Sequence, residues 1–167
     1  STATARCFHH AQNSYPQDSP SCWKGAICQQ LFDLAADIES YPSFLPFCRA
    51  ARILQTHALE NGGTKLIVDN VFGWQGIRTR FRTETTLSPL TKIEVISKEH
   101  PFERLEIFWR FKEVAPDTCA VTFEIYQTFR SGVISGIVGL FASGLETRVI
   151  DAFAAEAARR YGPSRQA

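Results

Sequence analysis

Between Arg49 and Phe129 apolar and polar residues alternate in runs broken by turn residues. That is the period of antiparallel strands with one face on a core and the other in water. The run "ARILQTHALE" leads into Asn61–Gly63, a hairpin signal. In the run that follows, Leu66, Val68, Asn70, Phe72 and Trp74 share one face. The next run sets Phe81, Thr83, Thr85 and Leu87 against Arg80, Arg82, Glu84 and Thr86. "TKIEVISKE" is another strand. Leu105, Ile107, Trp109 and Phe111 face inward in the run after it, and Val121, Phe123, Ile125, Gln127 and Phe129 in the last. Ser88-Pro89, His100-Pro101 and Pro116-Asp117 separate the strands. The pattern predicts a meander of about six strands.

The flanks read differently. "TATARCFHH" predicts a short first strand, and residues 12–28, rich in Pro, Ser, Asn and Gln, read as a loop. Leu31, Leu34, Ala35 and Ile38 recur at helical spacing, and Tyr41-Pro42 ends that helix because a residue before Pro is pushed out of the helical region. "PSFLPF" makes a second short helix or turn. Ser131 to about Arg160 reads as one long helix, with no Pro until Pro163. An antiparallel sheet with one apolar face needs a cover, and this helix is the only element long enough. The expected class is therefore α+β. A curved antiparallel sheet of six to seven strands wraps a long C-terminal helix, with two short helices after the first strand. Residues 1–160 form one domain with a loop insertion at 12–28, and 161–167 are a polar tail.

The helix carries two stripes. Ile134, Val138, Phe141, Leu145, Val149, Ala152 and Phe153 form a seam against the sheet. The adjacent stripe carries Arg148, Asp151 and Arg159 in its second half but Val133, Ile137, Leu140 and Gly144 in its first. Ser131–Leu145 holds no charge at all. Either loops cover this end of the helix, or it touches a membrane or a greasy ligand. It is shorter than the roughly 20 apolar residues of a membrane span, and no secretory signal is visible. Its glycines each lower helix stability by up to about 1 kcal/mol relative to Ala. They serve either flexing or close packing.

Composition narrows the function. The chain has 167 residues, 44% hydrophobic and 21% charged, enough for one sizeable core. A formal net charge of +1 argues against nucleic acid as the partner. Five cysteines at irregular spacing, with no C-x-x-C pair, read as reduced, mostly buried thiols. His9-His10 near Cys7 has no second ligand pair at suitable spacing, so no metal site is expected. No G-x-S-x-G, H-E-x-x-H or Walker motif is present. The inward polar set is Asn70, Thr83, Thr85 and Gln127, which suits binding rather than proton transfer. No catalytic residue is assigned. Asn70 and Gln127 would bond each other, a water, other protein groups or a ligand carbonyl. Arg78, Arg80 and Arg82 share an outer strand face. They either sit solvated beside Glu84 and neighbouring acids, meet anionic head groups, or meet RNA phosphates.

"QQLFDLAADIESYPSFLPFCRAARI" resembles the first helices and second strand of the coenzyme Q-binding START-domain family. "LIVDNVFGWQGIRTRF", "PFERLEIFWRF", "VTFEIYQTFR" and "ETRVIDAFAAEA" follow in the same order. The family lies in the START-like helix-grip superfamily, often labelled polyketide cyclase, close to the ribosome-association toxins. The resemblance implies a helix-grip fold with a hydrophobic tunnel for ubiquinone or a similar polyprenyl lipid. It implies a lipid chaperone for respiratory electron transfer rather than an enzyme, with no catalytic cofactor. It places the protein in the bacterial cytoplasm or mitochondrial matrix, peripheral on the inner membrane. The tunnel is then expected to be lined by Phe44, Leu66, Val68, Asn70, Phe72, Trp74, Phe81, Leu105, Ile107, Trp109, Phe123, Ile125, Gln127, Val138 and Phe141. Val133, Ile137 and Leu140 are expected at its portal or membrane contact. The chain departs from the family pattern at the 12–28 insertion and at Asn70 and Gln127, where relatives place apolar residues. A ribosome-binding toxin and, behind it, a cyclase-type enzyme are the alternatives.

Overall fold

Strand propensity and the turn chemistry between strands account for most of the chain. The computed structural model describes the backbone of residues 2–10, 22–23, 27–115, 118–132, 138–139, 142, 144–162 and 164–165, with side chains between 28 and 162. The strands are β1 (Thr2–His10), β2 (Cys22–Trp23), β3 (Cys48–Ala58), β4 (Thr64–Trp74), β5 (Ile77–Ser88), β6 (Lys92–Ser97), β7 (Phe102–Ala115), β8 (Thr118–Phe129) and β9 (Ser164–Arg165). They form one antiparallel sheet in the order β3-β4-β5-β6-β7-β8-β1-β9, with β2 also on β8. Sequential neighbours pair because short turns join them. Between β4 and β5 the turn is only Gln75-Gly76, at φ 48° and 81°. Positive φ at both central residues matches the twist of a hairpin, and glycine adopts it without strain.

The helical elements are shorter than their spacing suggests. Helix α1 spans Ile27–Ala36, and Ile38–Ser43 tighten into a 3-10 helix containing Pro42. The expected helix through Tyr41 is thus corrected: the chain changes helix type at Asp37. The Tyr41 hydroxyl donates to the Ala35 carbonyl and so takes up one of the acceptors that a helix end leaves without a partner. The single long C-terminal helix is corrected too. Gly144 sits at φ 78°, and helix α2 (Leu145–Tyr161) begins after it. Val138, Gly139 and Ala142 are helical upstream of this break. A left-handed residue cannot continue a right-handed helix, and glycine takes that conformation without a Cβ penalty.

Helix α2 lays Leu145, Val149, Ile150, Phe153, Ala154 and Ala157 on the core. Phe153 meets Trp109 of β7 at 4.9 Å between ring centroids. A file of rings crosses the sheet interior: Phe47, Phe72, Phe81, Phe102 and Phe129, with successive centroids 5.4, 4.9, 5.0 and 5.5 Å apart. Cys28 of α1 and Cys119 of β8 form a disulfide. This corrects the reduced-thiol expectation for that pair. Nothing in the spacing marks the bond, because the sheet brings together residues 91 apart in sequence. Cys48 is free and buried, and burial pushes its thiol up to about 11.

The end of α2 is tied down by charge. Buried Glu156 accepts from Arg159 Nη2 (2.5 Å) and Arg160 Nε (2.9 Å). Arg160 reaches on to Asp37 Oδ2 (2.9 Å) and Ser40 Oγ (3.0 Å), across the junction of α1 and the 3-10 helix. The Arg159 hydrogen bond, then that of Arg160, holds the Glu156 carboxyl down at about 2. A carboxylate with a depressed folded pKa contributes stability above its unfolded value, and that contribution falls away as pH drops toward the folded one. Acid titration between about pH 4.5 and 2 is therefore expected to destabilise the protein, with Glu156 a named contributor. In Glu156→Gln the loss across this window should shrink by about 1–2 kcal/mol, since Arg159 is largely exposed and screened. Urea midpoints measured along the pH series check this. An unchanged pH slope would count against the clasp.

On the outer face Arg80 is 72% exposed yet held by Asp69 of the neighbouring strand, and Glu84 is paired with Lys65 at 3.1 Å. Arg148 lies over the Trp74 ring, 4.5 Å from its centroid.

Candidate ligand site

The 3-10 helix packs on β3, and α1 and α2 pack on β8. Between these helical elements and the sheet lies a cavity of ≈ 80 Å³. Its wall draws on three layers. The 3-10 helix and the turn after it supply Ile38, Tyr41, Leu45 and Phe47; the strands supply Asn70, Phe72, Phe81, Thr83, Thr85, Ile93, Val95, Leu105, Ile107, Trp109, Phe123 and Ile125; α2 supplies Leu145 and Val149. No carboxylate, imidazole, amine or guanidinium is among these residues. Burial pushes the Tyr41 hydroxyl above its ordinary range, so it stays protonated as a donor to Ala35. The wall is thus apolar with a few fixed polar groups, the arrangement that holds a hydrophobic molecule and orients it.

The polar groups gather on β4 and β5. Pairing sets Val68 opposite Thr83 and Asn70 opposite Phe81. Asn70, 8% exposed, donates through Nδ2 to the carbonyls of Val68 and Phe81, each at 3.3 Å, and to Thr83 Oγ1 at 3.1 Å. The amide is thereby anchored to the sheet and not to Gln127. Gln127 is half-buried beside Arg104, Glu106, Tyr126 and Thr128, in a polar depression apart from the cavity.

Of the residues expected to line a tunnel, Asn70, Phe72, Phe81, Leu105, Ile107, Trp109, Phe123 and Ile125 stand on the cavity wall. Six others stand elsewhere. Leu66 and Val68 pack with Ile38 in a small second cluster, because the 3-10 helix covers that end of β4. Phe44 packs on the main core edge-to-face with Tyr41, and Trp74 lies under Arg148 near the turn into β5. Gln127 lies in its own depression, and Val138 is 38% exposed, which corrects its place in the helix seam. Phe141 and the portal residues Val133, Ile137 and Leu140 lie outside the described residues. The sequence pattern set Ile38 on a helix face but not on this wall, and it did not single out Tyr41, Leu45 and Phe47, which come from the segment around two prolines where no period operates. Ile93 and Val95 alternate within β6 and were legible as one strand face, though not as part of this wall.

Among the described residues no group of three or more His, Cys, Asp or Glu side chains is placed to hold a metal. Among them also, no helix is long and apolar enough to cross a membrane.

Known proteins resemble this chain in sequence or in fold. The ribosome association toxin RatA of Pseudomonas aeruginosa is 27% identical over 132 residues, covering 79% of this chain and 88% of that protein. The mitochondrial coenzyme Q-binding protein COQ10 homolog B of Xenopus laevis is 27% identical over 142 residues, 83% of this chain but 56% of that protein's length. The 18 kDa protein CC1736 of Caulobacter crescentus superposes with a TM-score of 0.66 at 21% identity, covering 98% of this chain and all of that one. A START superfamily protein of Mycobacterium smegmatis superposes at 0.67 with 14% identity, covering 94% and 97% of the two chains. These structural likenesses establish the helix-grip fold. The profile of the family described as polyketide cyclase / dehydrase and lipid transport matches residues 25–154, most of the strands and helices described above, and the chain belongs to that family.

Proposed function

We propose that this protein binds ubiquinone or a similar polyprenyl lipid and carries it as a chaperone for respiratory electron transfer, without catalysing a reaction. The observation that carries the reading is the cavity: among the described residues its wall is apolar, with three polar side chains at one side and no carboxylate, imidazole, amine or guanidinium. The similarity to a coenzyme Q-binding protein supports it. The space is that of a ring or a short chain segment, so the rest of a long tail lies outside it. Each large apolar side chain desolvated by the ligand contributes about 1.5–3 kcal/mol at most. The reading places the protein peripherally at the membrane that holds the quinone. The Cys28–Cys119 bond favours an oxidising compartment on one side of that membrane over cytoplasm or matrix.

An organic extract of the purified protein, read by mass spectrometry, tests this. A stoichiometric polyprenyl quinone is expected in the wild type and little in Ile107→Trp, whose larger side chain fills the cavity from β7. An empty wild-type extract from a folded protein would overturn the reading. A ribosomal role is favoured by one observation, the similarity to ribosome association toxins. Cosedimentation with large ribosomal subunits, resistant to moderate salt, would carry that reading instead.

A further inference from the structure

The hydrogen-bond inventory of the cavity's polar side says what kind of head group it accepts. Asn70 is more than nine-tenths buried, and its Nδ2 faces three acceptors, two of them backbone carbonyls. Turning the amide over would set Oδ1 against those carbonyl oxygens, so its orientation is determined by the sheet. Oδ1 then accepts no hydrogen bond from any described residue. Thr83 Oγ1 accepts from Asn70 and donates to no described residue, leaving its hydroxyl hydrogen open among them. Thr85, 1% exposed, has a hydroxyl with no protein partner among the described residues. All three side chains line the same cavity. Buried polar atoms are nearly always satisfied, and leaving them unmade costs free energy.

Here the open set is one acceptor and two hydroxyl donors on adjacent strands. A carbonyl oxygen can only accept, so it answers the threonines and leaves Asn70 Oδ1 bare. A hydroxyl answers both, accepting from a threonine and donating to Asn70. We infer that the cavity selects a ligand with a ring hydroxyl, a phenol or hydroquinone, over the matching quinone or ether. The inference rests on the cavity's being the ligand site, and it adds the chemical and redox form of the ligand.

Two probe pairs test it by calorimetry under anaerobic conditions: 4-nonylphenol against its O-methyl ether, and a short-tailed ubiquinol against its ubiquinone. The wild type is expected to bind the phenol and the quinol about tenfold more tightly than their partners. Asn70→Leu should equalise each pair, whereas Thr85→Val, with less risk to folding, should weaken both members of each pair alike and leave the preference in place. Equal affinities in the wild type would overturn the inference, as would a preference that survives Asn70→Leu or failure of both members of the phenol pair to bind. Binding of the phenol with its preference, but of neither quinone form, would sustain the hydroxyl rule and sink the ubiquinone reading instead. A single ordered water bridging Asn70 and Thr83, undisplaced by any probe, would appear as no discrimination and count against it.

Discussion

Phe81→Ala is expected to cost the fold about 3–5 kcal/mol. Phe81 is 2% exposed and lies at the middle of the ring file, 4.9 Å from Phe72 and 5.0 Å from Phe102. Removing it takes away the transfer free energy of the ring and two edge-to-face contacts. The usual relief, partial collapse of neighbours into the gap, is poor at this position. The ring borders the ligand cavity, so the new void joins one already present rather than closing. The upper part of the range is therefore expected. Urea midpoints measure it, with the slope compared between variants to show that unfolding remains two-state. A loss below about 1 kcal/mol would mean that the ring is not packed as described. An enlarged apolar cavity also binds small apolar molecules, so benzene should stabilise Phe81→Ala more than the wild type.

Breaking the Cys28–Cys119 bond is the second large effect. The bond joins α1 to β8 across 91 residues, so it removes much loop-closure entropy from the unfolded chain. A bond spanning a loop of this length stabilises by about 2–4 kcal/mol. For a domain of this size that corresponds to roughly 10 °C in melting temperature. The doubly substituted Cys28→Ser, Cys119→Ser protein should melt lower by that amount, and reductant should lower the wild type to a similar point. Cys48 should not interfere, since its thiol titrates at about 11 and the thiolate is the reactive form. A melting temperature indifferent to reductant would exclude the bond as a brace.

The legible part of the fold is the part governed by local period. Alternation at Leu66–Trp74, Phe81–Leu87, Leu105–Phe111 and Val121–Phe129 marked the strands and their inward faces, and the structure pairs them as a sheet. Asn70, Thr83 and Thr85 were visible as polar residues on an apolar face for the same reason. The helix break at Gly144 was hidden because apolar periodicity continues across it; only the backbone angle separates the two pieces. The wall contributed by Tyr41, Leu45 and Phe47 was hidden because it comes from a proline-interrupted segment with no repeating period.

By itself the sequence determined the strand faces, the α+β class and the scarcity of ionisable groups on the inward faces, since each follows from the side-chain order along a strand. Only the tertiary structure decided which inward residues border a hollow and which fill the core. It was also needed to see that Asn70 turns its nitrogen to the sheet and that Cys28 meets Cys119. The physical reason is the same in each case. A two-residue period says which face a side chain takes, but the curvature of the sheet and the seating of α2 set how far apart the facing surfaces stand. Space, partners and cross-links depend on that distance.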